Sequence, residues 1–269
     1  MEKFSRMSVS ELRKWFNNGG EALPPDEILD ALEKDSRAGA RKIAILIRRR
    51  REREIKEDAR LESLLHFEKA LWNEGFRSIA GVDEAGVGPL AGPVIAAAVI
   101  LPRGCKIRGI YDSKKVSRPG AREELEDRIK KEALDWAVGR ADAEEIDRLN
   151  IYRAGLLAMR RAVEELNIQP DYLLADARTI PECSCPQRGV IHGDALSMSI
   201  AAASIIAKTC RDRFMLEMDA LYPEYGFAAH KGYPTPDHIC ALRRFGPSPI
   251  HRRSYAPVRQ LRITNYELR

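Results

Sequence analysis

The chain has 269 residues and a formal net charge of +5, and 44% of its residues are hydrophobic. This composition is typical of a globular protein and excludes a disordered or fibrous chain. A membrane span is also excluded, because no apolar run approaches the roughly 20 residues that a transmembrane helix needs. No apolar stretch follows the charged N-terminal residues, so the sequence predicts a cytoplasmic protein without a signal peptide.

Residues 1–70 are predicted to form a small all-helical N-terminal extension. Apolar residues at helical spacing predict helices at 11–16, from 26 onward and at 43–70. The last of these contains four consecutive arginines, Arg48 to Arg51, mixed with glutamates. Such a run is typical of a solvated helix face; the alternative is a nucleic-acid-binding arm, since arginines bind phosphates.

Strands alternate with helices over residues 71–269. The predicted strands lie at 78–82, 94–101 and 172–175, and the predicted helices at 121–136, 143–166, 195–218 and 235–244. A turn rich in glycine and proline joins the first two strands into a hairpin. This order predicts an α/β fold in which helices flank a mixed β-sheet.

Carboxylates lie at the ends of three predicted elements. Asp83 and Glu84 close the first strand, Asp176 closes the strand at 172–175, and Asp194 precedes the helix at 195. Taken singly these are ordinary loop residues, and Asp194 is a good helix N-cap. Taken together they would repel one another unless cations neutralised them, and without accompanying His or Cys the expected cation is Mg²⁺ or Mn²⁺. A pair of such ions can hydrolyse a phosphodiester.

Two further segments are suited to phosphate and sugar. The glycine turn, Gly86-Val87-Gly88, is either a simple hairpin turn or a place where a ligand approaches the backbone closely. A short loop presents one hydroxyl and two ammonium groups, at Ser113, Lys114 and Lys115. The five cysteines show no disulfide framework, and the close pair at 183 and 185 is either a metal or redox site or a loop with reduced thiols.

Nine short segments resemble the ribonuclease HII family, in the family's order and over residues 75–259. They are IAGVDEAG from residue 79, GPLAGPV from 88, DSKK from 112, GDALS from 193, AAASIIAK from 201, RDR from 211, YGF from 225, HKGY from 230 and GPSPIHRRS from 246. The resemblance implies a ribonuclease H-like fold. It also implies an endonuclease that hydrolyses the RNA strand of RNA–DNA hybrids and cuts 5′ of single ribonucleotides in duplex DNA, leaving a 3′-hydroxyl and a 5′-phosphate.

The resemblance also implies roles for individual residues. The catalytic residues and ligands of two Mn²⁺ or Mg²⁺ ions would be Asp83, Glu84, Asp176 and Asp194. The glycine turn would recognise the ribose 2′-hydroxyl, and Tyr233 would pack against the sugar at the ribo–deoxy junction. The basic segment 251–253 would hold the strand or support the site. We expect a monomer with nucleic acid, and no membrane, as its partner.

The sequence departs from the family pattern at two positions. Val87 stands where the family has Arg, and His192 where the family usually has Lys. If the backbone of the turn recognises the ribose, Val87 removes only a cationic contact; if the Arg side chain also orders the turn, binding weakens much more. The alternatives are therefore an active enzyme, a catalytically impaired hybrid-binding protein, and a nuclease restricted to longer hybrids.

Overall fold

The computed structural model describes residues 4, 7–17, 24–110 and 120–260. The chain divides into two compact units, Met1–Glu62 and Ser63–Arg269. The change in sequence pattern predicts this division near residue 70. Within the described ranges, no helix is both long enough and apolar enough to cross a membrane.

The first unit is built from helices. They are α1 (Val9–Asn17), α2 (Asp26–Glu33) and most of α3 (Ala38–Ser63). Their apolar faces pack together and bury Leu12, Leu29, Leu32, Ala40, Ile43, Ala44 and Ile47. The buried positions of α3 recur at intervals of three and four residues, so one stripe of this otherwise polar helix faces the small core.

The arginine run of α3 is largely engaged in salt bridges. Arg48 and Arg51 pair with carboxylates of α2, namely Asp26, Asp30 and Glu33. Arg50 pairs with the glutamate one turn further along, at 2.9 Å. Three of the four arginines thus have acidic partners within the first unit, which favours the solvated helix face over the nucleic-acid arm.

The second unit contains a five-stranded mixed sheet with the order β3-β2-β1-β4-β5. The strands are β1 (Ile79–Ala85), β2 (Val94–Ile100), β3 (Asp135–Ala141), β4 (Tyr172–Asp176) and β5 (Gln187–Val190). The first three pair antiparallel, whereas β4 is parallel to β1 and β5 to β4. The predicted α/β fold with a mixed sheet is confirmed.

Helices cover both faces of this sheet. They are α4 (His66–Asn73), α5 (Ala121–Glu132), α6 (Ala143–Leu149), α7 (Ile151–Glu164), α8 (Gly193–Leu196), α9 (Met198–Leu221), α10 (Phe227–His230) and α11 (Pro236–Phe245). Ala80 and Val82 of β1 lie in a core cluster with Met159 of α7. Ile79 packs with Ile200 of α9 instead. Because alternate residues of a strand point to opposite faces, α7 and α9 cover opposite sides of the sheet.

Two predicted helices are wrong in their extent. The helix predicted at 121–136 ends at Glu132, and β3 follows, because its residues pair with β2 along the whole strand. The helix predicted at 143–166 is two helices. Asn150 adopts a φ of +74°, which ends α6, and its side chain accepts a hydrogen bond from the Arg153 amide to cap α7.

Candidate active site

The carboxyl ends of β1 and β4 bring acidic residues together. The parallel register sets Val82 opposite Ala175, so the residues that follow them, Asp83 and Asp176, lie side by side. Burial raises the pKa of Asp83 well above its ordinary value, and repulsion by Glu84 and by Asp176 raises it further. Three of the four predicted carboxylates therefore form one cluster of like charges.

Asp83 is the most enclosed member of this cluster, with 6% of its surface exposed. Its Oδ1 accepts a hydrogen bond of 2.7 Å from the Glu84 amide, and its carboxylate is also hydrogen-bonded to Ser204 of α9. These two bonds favour the ionised form, but burial and the neighbouring charges outweigh them. A cation bound nearby would favour the ionised form of this carboxylate.

Asp194 lies in the short helix α8, next to this cluster. The amide of Gly193 donates a hydrogen bond of 2.7 Å to Oδ1 of Asp176. A Cβ at position 193 would lie 3.3 Å from that oxygen and 2.6 Å from Cδ1 of Ile200, so glycine permits this close approach. The backbone just before Asp194 is thereby attached to a carboxylate of the cluster.

The turn that follows Asp194 is held by Glu68 of α4. Glu68 is 3% exposed, and its Oε1 accepts hydrogen bonds from the Ser197 hydroxyl at 2.6 Å and from the hydroxyl and amide of Ser199 at 2.7 and 3.0 Å. The helix dipole of α9 favours this buried carboxylate at its N-terminus. Ser197 caps α9 by accepting from the Ile200 amide, so the alternative interpretation of Asp194 as the N-cap of this helix is wrong.

The helix predicted at 43–70 is interrupted just before Glu68. The helix ends at Ser63 and a new one begins at His66. The carbonyl of Leu64, between them, accepts a hydrogen bond of 2.8 Å from the Met198 amide. Contacts with the start of α9 thus fix both the break and the orientation of α4.

In this structure, the carboxylates of Glu84 and Asp176 contact other groups of the protein and do not converge on one shared metal position. Glu84 forms a salt bridge of 2.8 Å with Arg178, and Asp176 accepts from the Gly193 amide. Across the residues that the structure describes, no three Asp, Glu, His or Cys side chains are arranged as a ready metal site. The donor set is nevertheless all carboxylate oxygen, which is the set that Mg²⁺ and Mn²⁺ prefer. The residues therefore fit a hard divalent ion in chemistry.

The glycine turn is supported from inside the protein by Arg252. This side chain is fully buried. It donates to the carbonyls of Gly86 at 2.5 Å, Val87 at 3.0 Å and Gly92 at 2.9 Å. The hydroxyl of Tyr255 donates to the Val87 carbonyl as well, at 2.8 Å. Two carbonyls of the turn are therefore held by buried side chains of the protein.

A second buried arginine, Arg211, holds the segment that follows the turn. It donates at 3.0 to 3.1 Å to the carbonyls of Ala91, Pro93 and Lys231. Burial, and then the nearby Arg252, lower the pKa of Arg211 to about 10. Among the described residues no carboxylate forms a salt bridge with either guanidinium, and backbone carbonyls accept most of their hydrogen bonds. The basic segment 251–253 is predicted to hold the strand or to support the site, and its Arg252 supports the glycine turn.

Tyr233 lies beside the glycine turn. A Cβ at Gly88 would be 3.5 Å from Cε1 of its ring, and 44% of this tyrosine is exposed. The Leu90 amide donates to the Gly232 carbonyl at 2.8 Å, which joins the two loops. The structure thus brings together Tyr233 and the turn, whereas the predicted phosphate contacts Ser113, Lys114 and Lys115 lie outside the described residues.

A chain of hydrogen bonds between two histidines reaches the backbone of Tyr233. The Ser248 amide donates to Nδ1 of His251 at 2.9 Å, so in the neutral ring Nε2 bears the proton. That Nε2 donates to Nε2 of His238 at 3.0 Å, and Nδ1 of His238 donates to the Tyr233 carbonyl at 2.9 Å. Both rings can form all of these bonds only when they are neutral.

We expect these histidines to make the protein less stable in acid. Burial, and then the neighbouring His238, lower the pKa of His251 from 6.5 to about 3. The pKa of His251 is lower in the folded than in the unfolded protein, so its contribution to the free energy of unfolding is complete above pH 6.5. As the pH falls from 6.5 toward 3, the free energy of unfolding decreases by up to about 1.4 kcal/mol per pH unit for one proton. Urea unfolding of wild type and His251→Gln across this pH range measures how the free energy of unfolding depends on pH. A variant profile as steep as that of wild type contradicts the prediction.

The close pair Cys183 and Cys185 carries free thiols. All five cysteines are free. Burial raises the pKa of Cys183 and of Cys185. Since the thiolate is the form that binds metals and reacts, these raised values favour reduced thiols over the metal or redox alternative.

The mixed sheet and the helices on its two faces form a fold of the ribonuclease H class. The ribonuclease H2 of Pyrococcus horikoshii OT3 shares this fold, with a TM-score of 0.61 and 27% identity over 71% of this chain and 99% of that chain.

Sequence comparison identifies the family within this class. The model of "Ribonuclease HII" matches residues 80–258, and that of "Ribonuclease HII N-terminal domain" matches residues 8–72. The ribonuclease HII of Myxococcus xanthus is 58% identical over 97% of this chain and 88% of its own length. That of Desulfitobacterium hafniense is 51% identical over 97% of this chain and 98% of its own length. The chain belongs to the ribonuclease HII family and is a metal-dependent ribonuclease H that acts on RNA–DNA hybrids.

Proposed function

We propose that this ribonuclease H cuts 5′ of ribonucleotides, including single ribonucleotides in duplex DNA, and leaves a 3′-hydroxyl and a 5′-phosphate. The observation that carries the proposal is the exposed ring of Tyr233 beside Gly88, in a turn whose carbonyls are held from inside. The 2′-hydroxyl is the group that distinguishes RNA from DNA. A rigid turn and one ring can examine a single sugar, so recognition does not require a run of ribonucleotides.

The carboxylate cluster would hold two ions, Mn²⁺ or Mg²⁺, through Asp83, Glu84, Asp176 and Asp194. The chemistry supplied by ions bound there is activation of water and stabilisation of charge at the phosphate. The protein's own groups orient the ligands. The Glu84 amide holds Asp83, the Gly193 amide holds Asp176, and Glu68 fixes the turn after Asp194. No side chain is then needed as a general base.

The contacts around Val87 support an active enzyme over an impaired one. The Val87 side chain packs against the core, and its carbonyl accepts bonds from Arg252 and Tyr255. Buried groups of the protein therefore order the turn without an arginine at position 87. His192 is exposed and has a φ of +58°. The hydrogen bond from the neighbouring Gly193 amide to Asp176 is present with histidine at position 192.

We expect one metal-dependent cut on the 5′ side of a single ribonucleotide in a labelled DNA duplex, and none in the all-DNA duplex. Val87→Arg is expected to change the cutting rate by less than about tenfold, because backbone groups shape the turn. A much faster Val87→Arg variant would show that the valine is a deficit. Tight binding without a metal-dependent cut would favour the hybrid-binding protein, and cuts confined to longer hybrids would favour the restricted nuclease.

Other parts of the proposal rest on the sequence. Ser113, Lys114 and Lys115 would contact phosphates, and neutralising both lysines should weaken binding and reduce its salt dependence. A monomer in the cytoplasm is expected, and light scattering of the purified chain tests its oligomeric state.

A further inference from the structure

Arg178 occupies a slot beside the carboxylate cluster. Its Nη2 lies 2.8 Å from Oε1 of Glu84, and its Nη1 donates to the Tyr152 carbonyl at 3.3 Å. The guanidinium also lies over the Tyr152 ring, 5.1 Å from the ring centroid. Its side chain is only 16% exposed. The cation is therefore held from three sides against one of the acidic residues.

A glycine in α7 provides the space for this slot. Gly155 is one turn after Tyr152, and a Cβ there would lie 2.7 Å from Nη1 of Arg178. Glycine inside a helix is less favourable than alanine, so its presence needs a compensating reason. Here the missing side chain of Gly155 leaves space for the planar guanidinium of Arg178 next to Glu84.

We propose that Arg178 is a resident counter-ion of the carboxylate cluster and competes with a divalent ion for Glu84. This inference rests on the metal-binding role proposed above for Glu84 and its neighbours. In the absence of metal, the guanidinium reduces the repulsion between the carboxylates. When an ion binds, the same positive charge repels it at short range.

These two consequences have opposite signs, which separates the proposal from a purely structural role. Removal of the Arg178 charge should destabilise the metal-free protein and yet tighten metal binding. A residue that only packs the site would lower both the stability and the metal affinity when it is replaced. The affinity for Mn²⁺ is therefore the informative measurement, independently of any cleavage.

The experiment measures Mn²⁺ binding to the full chain by the electron paramagnetic resonance signal of free Mn²⁺, together with Tm with and without the ion. Arg178→Gln should bind Mn²⁺ about tenfold more tightly than wild type and show a larger Mn²⁺-induced rise in Tm. Arg178→Lys keeps the charge and should stay within about threefold of wild type. Arg160→Gln is the matched control, because Arg160 pairs with Glu164 within α7 and not with a residue of the carboxylate cluster. The Mn²⁺ affinity of this variant should equal that of wild type.

A second variant protects the test against misfolding. Gly155→Ala improves the helix propensity of α7 and leaves Arg178 in the chain, but its methyl group displaces the guanidinium from Glu84. We expect tighter Mn²⁺ binding in this variant too, by a smaller factor than in Arg178→Gln.

The possible failures can be told apart. If wild type binds no Mn²⁺ and Asp83→Asn makes no difference, the proposed metal site itself is wrong. If Asp83→Asn abolishes Mn²⁺ binding while Arg178→Gln and Gly155→Ala bind like wild type or more weakly, the metal site stands and the counter-ion role of Arg178 is overturned.

Discussion

Asp83→Asn is expected to abolish metal-dependent cleavage and at the same time to raise the Tm of the metal-free protein. Loss of a ligand carboxylate should reduce the rate by on the order of 1,000-fold or more. The stability should rise because burial, Glu84 and Asp176 all raise the pKa of Asp83, so its ionised form opposes folding at neutral pH. Asn keeps the oxygen that accepts from the Glu84 amide and carries no charge.

The sign of the Tm change is the sharper half of this prediction. Asp135→Asn is the matched control, because hydrogen bonds from Ile168 and Asn167 hold the pKa of Asp135 below its ordinary value despite some burial. That variant should lower the Tm and leave cleavage intact. Thermal unfolding in a chelator compares the two. A Tm that falls in Asp83→Asn as it does in the control would show that the carboxylate cluster is not under electrostatic strain.

The sequence was sufficient to find residues that lie at the ends of apolar segments. Asp83, Glu84 and Asp176 each follow a strand that is apolar enough to be recognised, and parallel pairing then places the strand ends together. The mixed sheet followed from the same alternation of strands and helices. β3 was missed because its residues, Asp135–Ala141, owe their extended form to pairing with β2 rather than to their own propensity.

The supporting residues could not be found in this way. Glu68 contacts Ser197, and Arg252 contacts Gly86, across 129 and 166 residues of sequence. A glutamate in a helix and an arginine in a basic segment both predict solvent exposure, since charged residues are almost never fully buried unless paired. Only the tertiary fold supplies the serine hydroxyls and carbonyls that make burial tolerable.

Arg252→Met is expected to destabilise the folded protein by about 3 kcal/mol and to reduce discrimination between ribose and deoxyribose. The substitution leaves the buried carbonyls of Gly86 and Gly92 without this donor, and the Val87 carbonyl with only the Tyr255 hydroxyl. The loss is smaller than the sum of these bonds, because removal of a buried cation also removes its desolvation cost. Urea unfolding gives the stability, and binding to duplexes with and without one ribonucleotide gives the discrimination. Wild-type values of both would contradict the proposed support of the turn.

Tyr255→Phe is the matched control, since it removes one bond to the Val87 carbonyl and leaves Arg252 in place. It should cost about 1 kcal/mol. The tyrosine hydroxyl also accepts from Nη1 of Arg252 at 3.0 Å, so the two side chains support the turn as one network. The double variant should therefore be less destabilised than the sum of the single variants by about 0.5 kcal/mol or more. Strict additivity would mean that Arg252 and Tyr255 hold the glycine turn independently, and the turn's order would then depend on separate contacts rather than on a shared one.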